Sequence, residues 1–571
     1  KITIMHAAHL ATPSEAVGSD METESGWTEL QGADTPRYER ALEENRVDLY
    51  YRCVITPVKL TRSRSASEEV VLYSDAVAAV EDINIIYVDQ SNGNDSNSGK
   101  SSDQAVQTLE KAASLLKKRE DGGTVESNQI ILTQDYSHEL DGSGDTKKWY
   151  FLNNSGIPVT IKGSDGTINL LNKYNKDGND FYLSEEIIFD SIKLTYIDHI
   201  YCNGHNIRIN SSVTTGSNIY LYGAGQSNIT ENVGEISVYA GKITRIVGYI
   251  RSKPSVDVKQ KKAVITVGGS ADVSTIIAGS ASGEIKNADV EINIEGGNVD
   301  KLVGGCQGYS EAKSPYSGTT VLNISGGTVK SIYGAGSGRN KSIPTFSGEL
   351  DINITGGSVG NVYGSGSAAY VTSSGSEISK VRITATGGVI GNIFAAGIGG
   401  EASVSAENEA NQTLAKDFGS LTGDVTITIK DNAEITGDVY TSGSGHDTTG
   451  TPGYDITQNA YLKGNVTLNI SGGAIQGNVY GGGKGISRSG FDDCARIEEG
   501  STVNFQISGG SIKGNVYGGG KNAKVKGRII ISISGGTIQG NVYGGGSEGL
   551  VQGKTNIKIE DGTINGSVYG G

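Results

Sequence analysis

Apolar and polar residues alternate in short runs that return along most of this chain. Val466, Leu468 and Ile470 make one run, Val503, Phe505 and Ile507 the next, and Ile529, Ile531 and Ile533 a third. A period of two predicts β-strands with one buried face. Each run is followed by Ser-Gly-Gly, then a lone isoleucine (Ile475, Ile512, Ile538), then Asn-Val-Tyr and three glycines. The unit reads as three short strands and three bends. Helical repeats are excluded locally, because glycine triplets and β-branched runs are poor helix material.

The unit repeats at a countable spacing. Its third-strand marker falls at Tyr222, Val247, Ile277, Val303, Tyr333, Tyr363, Phe394, Tyr440, Tyr480, Tyr517, Tyr543 and Tyr569, with steps of 25, 30, 26, 30, 30, 31, 46, 40, 37, 26 and 26 residues. Such a period is the mark of a solenoid in which each unit covers its neighbours. The predicted fold is all-β, a three-sided right-handed parallel β-helix. The step has a floor near 26, and the excess enters between the glycine run and the next strand, so one corner is expected to carry every insertion. The longest lie in three successive units, at residues 397–421, 442–464 and 484–500.

The chain opens differently. Ile83, Ile85 and Tyr87 alternate as a strand, followed by an Asn/Asp/Gly-rich loop and by Leu109, Ala112, Ala113 and Leu116 at helical spacing behind Thr108, a suitable N-cap. The expected layout is a small β module over 1–80 and a solenoid over 81–571. Within the latter, 81–125 hold the leading strand and a capping helix, 126–205 irregular coils, and 206–571 the glycine-rich coils. The chain begins mid-pattern and stops just inside a unit, so it reads as a fragment whose signal and anchor segments lie elsewhere.

Composition narrows the function classes. Glycine supplies 84 of 571 residues and proline only 8, which suits tight turns between ordered strands. A net charge of −15 disfavours a phosphate-binding surface, so nucleic acid is not an expected partner. No apolar run is long enough to insert in a membrane. Cys53, Cys202, Cys306 and Cys494 stand singly and read as small hydrophobes rather than metal ligands.

Two resemblances follow from these motifs. Trp27, Tyr51, Cys53 and the strand-like runs 54–56 and 69–73 resemble a partial immunoglobulin-like module, although no earlier cysteine is present to pair with Cys53. The order of strand, polar loop, short helix and glycine-punctuated coils resembles the pectate-lyase-like parallel β-helices of bacterial adhesin-like surface proteins. That resemblance implies a secreted or cell-wall-attached, extracellular protein whose rigid scaffold presents loops to a glycan or a host or cell-surface protein. It also admits a polysaccharide lyase or glycoside hydrolase, and a plain structural spacer.

The candidate residues are few. Loops on a rigid scaffold commonly bind, which selects His446, Asp447, Tyr454, Asp455, Arg488, Phe491, Asp492, Asp493 and Arg496 at the corner. Tyr480, Tyr517, Tyr543 and Tyr569 are expected to form an aromatic ladder, either exposed for stacking or packed beneath the corner loops. Asp89, Asn94 and Asp95 offer oxygen ligands for Ca²⁺, but a turn cluster satisfying its own backbone is the preferred reading, and no cofactor is expected. His199 beside Asp198, and His205, read as solvent-facing turn residues. Outward strand positions such as Thr467, Asn469, Asn504, Gln506, Ser532 and Lys558 carry few acids, so no catalytic residues are assigned. The asparagines at 361, 392, 478, 515 and 541, with Ser331, Asp438 and Ser567 as substitutes, are expected to stack up the coils.

Overall fold

The computed structural model describes residues 83–118, 127–138, 148–150, 156–172, 180–216, 218–226, 232–252, 255–308, 314–338, 343–372, 379–399, 417–446, 459–488 and 493–570, with five short strands before residue 80. Contacts divide the chain into two units, residues 1–84 with 117–128, and residues 85–116 with 129–571.

In the first unit, strand Ile2–Ala8 pairs antiparallel with Leu49–Ile55, placing Ile4 opposite Cys53. Thr28–Glu29, Leu72–Tyr73 and Val77–Ala78 complete a five-stranded sheet. Among the described residues this is the one antiparallel sheet; Trp27 lies outside them.

The second unit is a parallel β-helix. Its coils contribute to a 37-stranded sheet whose registered pairings are parallel. The marker residues pair in register from one coil to the next, Tyr222 with Val247 and so on to Tyr543 with Tyr569. The column continues backwards through Tyr201, Tyr182 and Tyr150, so the early coils obey the same register with shorter strands. A separate four-stranded sheet, from Tyr136–His138 to Thr214–Thr215, accounts for their irregular look.

One hydrophobic cluster runs through the coils from Ile86 to Val542. It takes the residue before the marker in every coil from Tyr222 to Tyr543, such as Ile332, Val362, Val479 and Val516, and the alternating residues of the long strands. The leading helix, Leu109–Ser114, joins it through Leu109, Ala112 and the following Leu116. Thr108 caps that helix, its hydroxyl accepting from the Lys111 amide at 3.1 Å, which satisfies one of the unpaired first-turn N–H groups.

The bend after the long strand depends on glycine. Gly473, Gly510 and Gly536, second in each Ser-Gly-Gly, have φ of 73°, 76° and 82°. A Cβ at Gly510 would meet the Gly472 carbonyl oxygen at 2.4 Å. The strand is not broken there, as the sequence suggests. It runs through Val466–Ile475 with two register shifts, bending while it stays paired.

Candidate functional site

The third-strand residues point away from the main cluster, as alternation requires, and form a second core of their own. Tyr333, Tyr363, Phe394, Tyr440 and Tyr480 are buried together, with Ile398 and Tyr517 packed on them. Eight rings from Tyr333 to Tyr569 stack at centroid distances of 4.8–5.4 Å and interplanar angles of 1–13°. The spacing is set by the backbone, since strands lie about 4.8 Å apart. Tyr480 is 3% exposed and Tyr517 and Tyr543 are half-buried, whereas Tyr569 is 49% exposed. Most of the ladder is therefore covered.

The polar column two residues earlier locks this ladder. The Asn478 Oδ1 accepts from the Asn515 amide at 2.8 Å, Asn515 Oδ1 from the Asn541 amide at 2.7 Å, and Asn541 Oδ1 from the Ser567 amide at 2.7 Å. Asn515 and Asn541 donate from Nδ2 to the hydroxyls of Tyr517 and Tyr543 at 3.0 and 2.9 Å. In the coil carrying Asp438 the direction reverses, and Tyr440 donates to its carboxylate at 2.8 Å. Burial, reinforced by Asp438, pushes the Tyr440 hydroxyl well above its ordinary pKa.

Beyond the glycines, two further columns frame the insertions. Ser337, Ser367, Ile398, Ser444, Lys484 and Lys521 bridge successively on the outgoing side. Phe346, Val371, Leu421, Leu462, Ile497 and Val525 do so on the returning side. Subtracting residue numbers, the chain crosses between these columns in 9, 4, 23, 18, 13 and 4 residues. The three long insertions thus leave and rejoin the scaffold at one edge. One extra segment departs from the expectation of a single corner: residues 373–378 follow Val371, because the Ser367–Val371 connection is already closed in four steps and the added length enters before Lys380.

The returning stems are tied together. The Arg496 guanidinium lies 4.6 Å from the Tyr461 ring centre, its Nε donates to Glu498 Oε1 at 2.8 Å, and its Nη1 to the Asp493 carbonyl at 3.0 Å. Tyr461 donates to Asp417 at 2.7 Å, and Lys524 reaches the Asp493 carboxylate at 3.2 Å. Arg496 is 7% exposed, its guanidinium held between Tyr461 of the neighbouring coil and Asp493 and Glu498 of its own rather than facing solvent. His446 is half-buried, its amide bound to the buried Asn459 side chain across the neck of the insertion. Arg488 is exposed, at the lip of an open cleft of about 500 Å³ that Ile486, Lys524, Glu548 and Leu550 also line. Asp447, Tyr454, Asp455, Phe491 and Asp492 lie outside the described residues. Sequence reasoning passed over Lys524 and Leu550, which line this cleft. The signal available was a surplus of cations over 484–528 and an isolated leucine in the Gly-rich turn that follows.

At the calcium candidates the oxygens serve the turn itself. Asp89 Oδ1 accepts from the amides of Asn92 and Ser91 at 2.8 and 3.1 Å, and from the Gln134 side chain. Asn94 Oδ1 accepts from Ser96, while Asp95 accepts from the amides of Gln107 and Thr108, fixing the start of the helix. Among the described residues no group of three His, Cys, Asp or Glu side chains is placed to hold a metal ion, and no helix is long and apolar enough to cross a membrane.

His199 corrects the sequence reading. It is 8% exposed, with its ring centre 4.7 Å from that of Tyr220 and its Nδ1 3.4 Å from the Tyr222 hydroxyl. Strand alternation turns it outward, but the neighbouring tyrosines cover it. Burial, with Arg251 and Arg245 nearby, lowers its pKa to about 3. His205 is half-buried, and its pKa is likewise lowered by burial.

No family model, curated protein or solved structure matches this chain.

Proposed function

We propose that this chain is a non-catalytic adhesin or stalk segment of a bacterial surface or secreted protein. Its solenoid holds the insertions of three adjacent coils side by side, so that they meet a glycan or a protein on another surface as one composite patch. The antiparallel sheet of the first unit fits the partial immunoglobulin-like module expected at such a position. The observation that carries the reading is the shared edge: crossings of 23, 18 and 13 residues between the same two columns that are joined in 4 residues at Ser367–Val371 and Lys521–Val525. A scaffold this regular has no folding requirement for those lengths, and loops on rigid frames are where recognition is commonly placed. On the broad strand face three acids are engaged by cations one coil away, Glu291 by Lys262 at 2.7 Å and Glu349 and Asp351 by Arg382 at 2.6 and 2.8 Å. This favours a binding role over hydrolysis by a carboxylate pair.

The test replaces residues 399–420, 445–461 and 485–496 each by Asn-Ala-Lys, the natural link between Lys521 and Val525. Wild type and trimmed protein are compared on glycan and surface-protein arrays. Binding by the wild type that disappears on trimming supports the reading, and binding that survives overturns it. Release of reducing ends or unsaturated sugars from a polysaccharide panel would replace it with the enzymatic alternative.

A further inference from the structure

The stacked rings differ in what their hydroxyls meet. Tyr543, Tyr517, Tyr480 and Tyr440 follow one another face to face, with centroids 4.9, 5.1 and 4.8 Å apart and planes within 6° of parallel. Tyr517 and Tyr543 are half-buried although each has a rung on either side, so their exposure belongs to the flank of the ladder and not to an end. Further along, Tyr480 and Tyr440 are 3% and 2% exposed. At Tyr517 and Tyr543 the asparagine two residues earlier donates to the phenol oxygen, and an amide N–H takes up no proton. At Tyr440 the phenol itself donates, to a carboxylate oxygen of Asp438 at 2.8 Å, within the reach required of a proton acceptor. The other Asp438 oxygen accepts from the Asn478 amide at 2.7 Å, which holds the carboxylate in place.

The rung beyond Tyr440 is Phe394, 4.8 Å away and 1° from parallel. A plain benzene ring gives up an electron far less readily than a phenol and has no acidic proton to release, so Phe394 closes the ladder to electron transfer in that direction. Four phenols thus form a run that starts at rings solvent reaches, ends at a ring it does not, and carries a proton acceptor at the buried end. Face-to-face stacking keeps each step short, and electron transfer falls off steeply with distance. Packing alone asks for none of this. Asparagine serves the same column at 478, 515 and 541, and phenylalanine the same ladder at 394.

We infer that this run is a one-electron relay, which moves an oxidising equivalent from Tyr517 and Tyr543 to Tyr440 and holds it there as a neutral tyrosyl radical. The co-reactant is a diffusible one-electron oxidant, such as an inorganic oxyl radical. It takes one electron from the Tyr543 or Tyr517 ring and is itself reduced. Electrons then pass outwards, from Tyr480 and finally from Tyr440, to fill the vacancy. An oxidised phenol is a strong acid, so the Tyr440 O–H bond breaks and its proton goes to Asp438. The result is a phenoxyl radical beside a carboxylic acid. A small reductant of the ascorbate type returns one electron by the same route, and the proton passes back from Asp438 to the Tyr440 oxygen. The gain is protection: phenoxyl radicals at a surface couple irreversibly, and one held on a ring only 2% exposed meets no partner. This role is independent of what the insertions bind.

The test uses the full chain with photo-excited tris(bipyridine)ruthenium and a cobalt(III) pentaammine quencher, which together generate a ruthenium(III) one-electron oxidant. The radical is followed by transient absorption and freeze-quench electron paramagnetic resonance, and surface coupling by dityrosine fluorescence. Wild type should give a persistent neutral tyrosyl signal and little dityrosine. Asp438→Asn and Tyr440→Phe should each lose most of the persistent signal and gain dityrosine. The double variant Tyr480→Phe/Tyr517→Phe should do the same with Tyr440 and Asp438 in place, because the vacancy then has three rung spacings to cross in one step. Tyr363→Phe, an equal loss of one phenol on the far side of Phe394, should change neither reading. Every replacement is a residue that the column already holds in another coil, and circular dichroism should match wild type. No persistent radical in wild type, an unchanged signal in Asp438→Asn or in the double variant, or an equal loss in Tyr363→Phe would overturn the relay.

Discussion

His199 shows how a single side chain reports on the face it occupies. An ordinary histidine takes up a proton near pH 6.5. Here burial beside Arg251 and Arg245 lowers that value to about 3. Between these two pH values the unfolded chain accepts a proton that the folded chain refuses. Stability is therefore highest above pH 6.5 and falls as the pH drops towards 3. The urea midpoint should decrease from pH 7 to pH 5, before most carboxylates titrate. His199→Phe, which keeps a ring against Tyr220, should flatten that dependence. An unchanged slope would show that the imidazole is not the group responsible. The sequence displayed His199 and Asp198 plainly but not their burial, because the covering rings of Tyr201, Tyr220 and Tyr222 come from its own and the next coil. The same holds for Arg382. Its partners Glu349 and Asp351 are 33 and 31 residues away, and only the register makes them neighbours.

At the level of elements, the period-two runs, the glycine bends and the marker column could be read directly from the sequence, because each coil repeats the same local conflict between apolar and polar positions. The asparagine column was legible for the same reason. For the outward-facing third strand the sequence left two alternatives, an exposed ladder or one packed beneath the corner loops, since alternation gives a direction and not what lies over it; the burial of Tyr333 to Tyr480 makes it a core of its own. This second core makes a measurable contribution. Tyr480 stacks at 4.8 Å on Tyr440 and 5.1 Å on Tyr517. Tyr480→Ala should cost about 3–5 kcal/mol, as expected for a buried aromatic, and Tyr480→Phe much less, because Phe394 fills the same column without a hydroxyl. Tyr569→Ala, at a 49% exposed rung, should cost under about 1 kcal/mol. Chemical denaturation of the three variants checks the order. Equal losses at 480 and 569 would contradict a covered ladder.

For the solenoid unit as a whole, stability is close to a sum of neighbour-to-neighbour terms. Tyr517, Tyr543 and Tyr569 pair in direct succession, so removing residues 518–543 brings Gly544 behind Tyr517 with every column intact. That 26-residue deletion should leave a folded protein with the circular dichroism of wild type and a proportionally smaller denaturant slope. Removing half as many residues puts strand faces out of step and should give an aggregating or unfolded product. The comparison tests the parallel register without reference to function.

The paired columns at the insertion edge carry a consequence for the history and use of the chain. Between Ile398 and Leu421, or between Lys484 and Ile497, what the scaffold needs is a return to the next position, and it tolerates very different routes there. Each coil consequently offers a socket into which new text can be spliced without renegotiating the frame. Variation should accumulate there first, and a foreign epitope grafted between those residues should be displayed while the surrounding coils remain as they are.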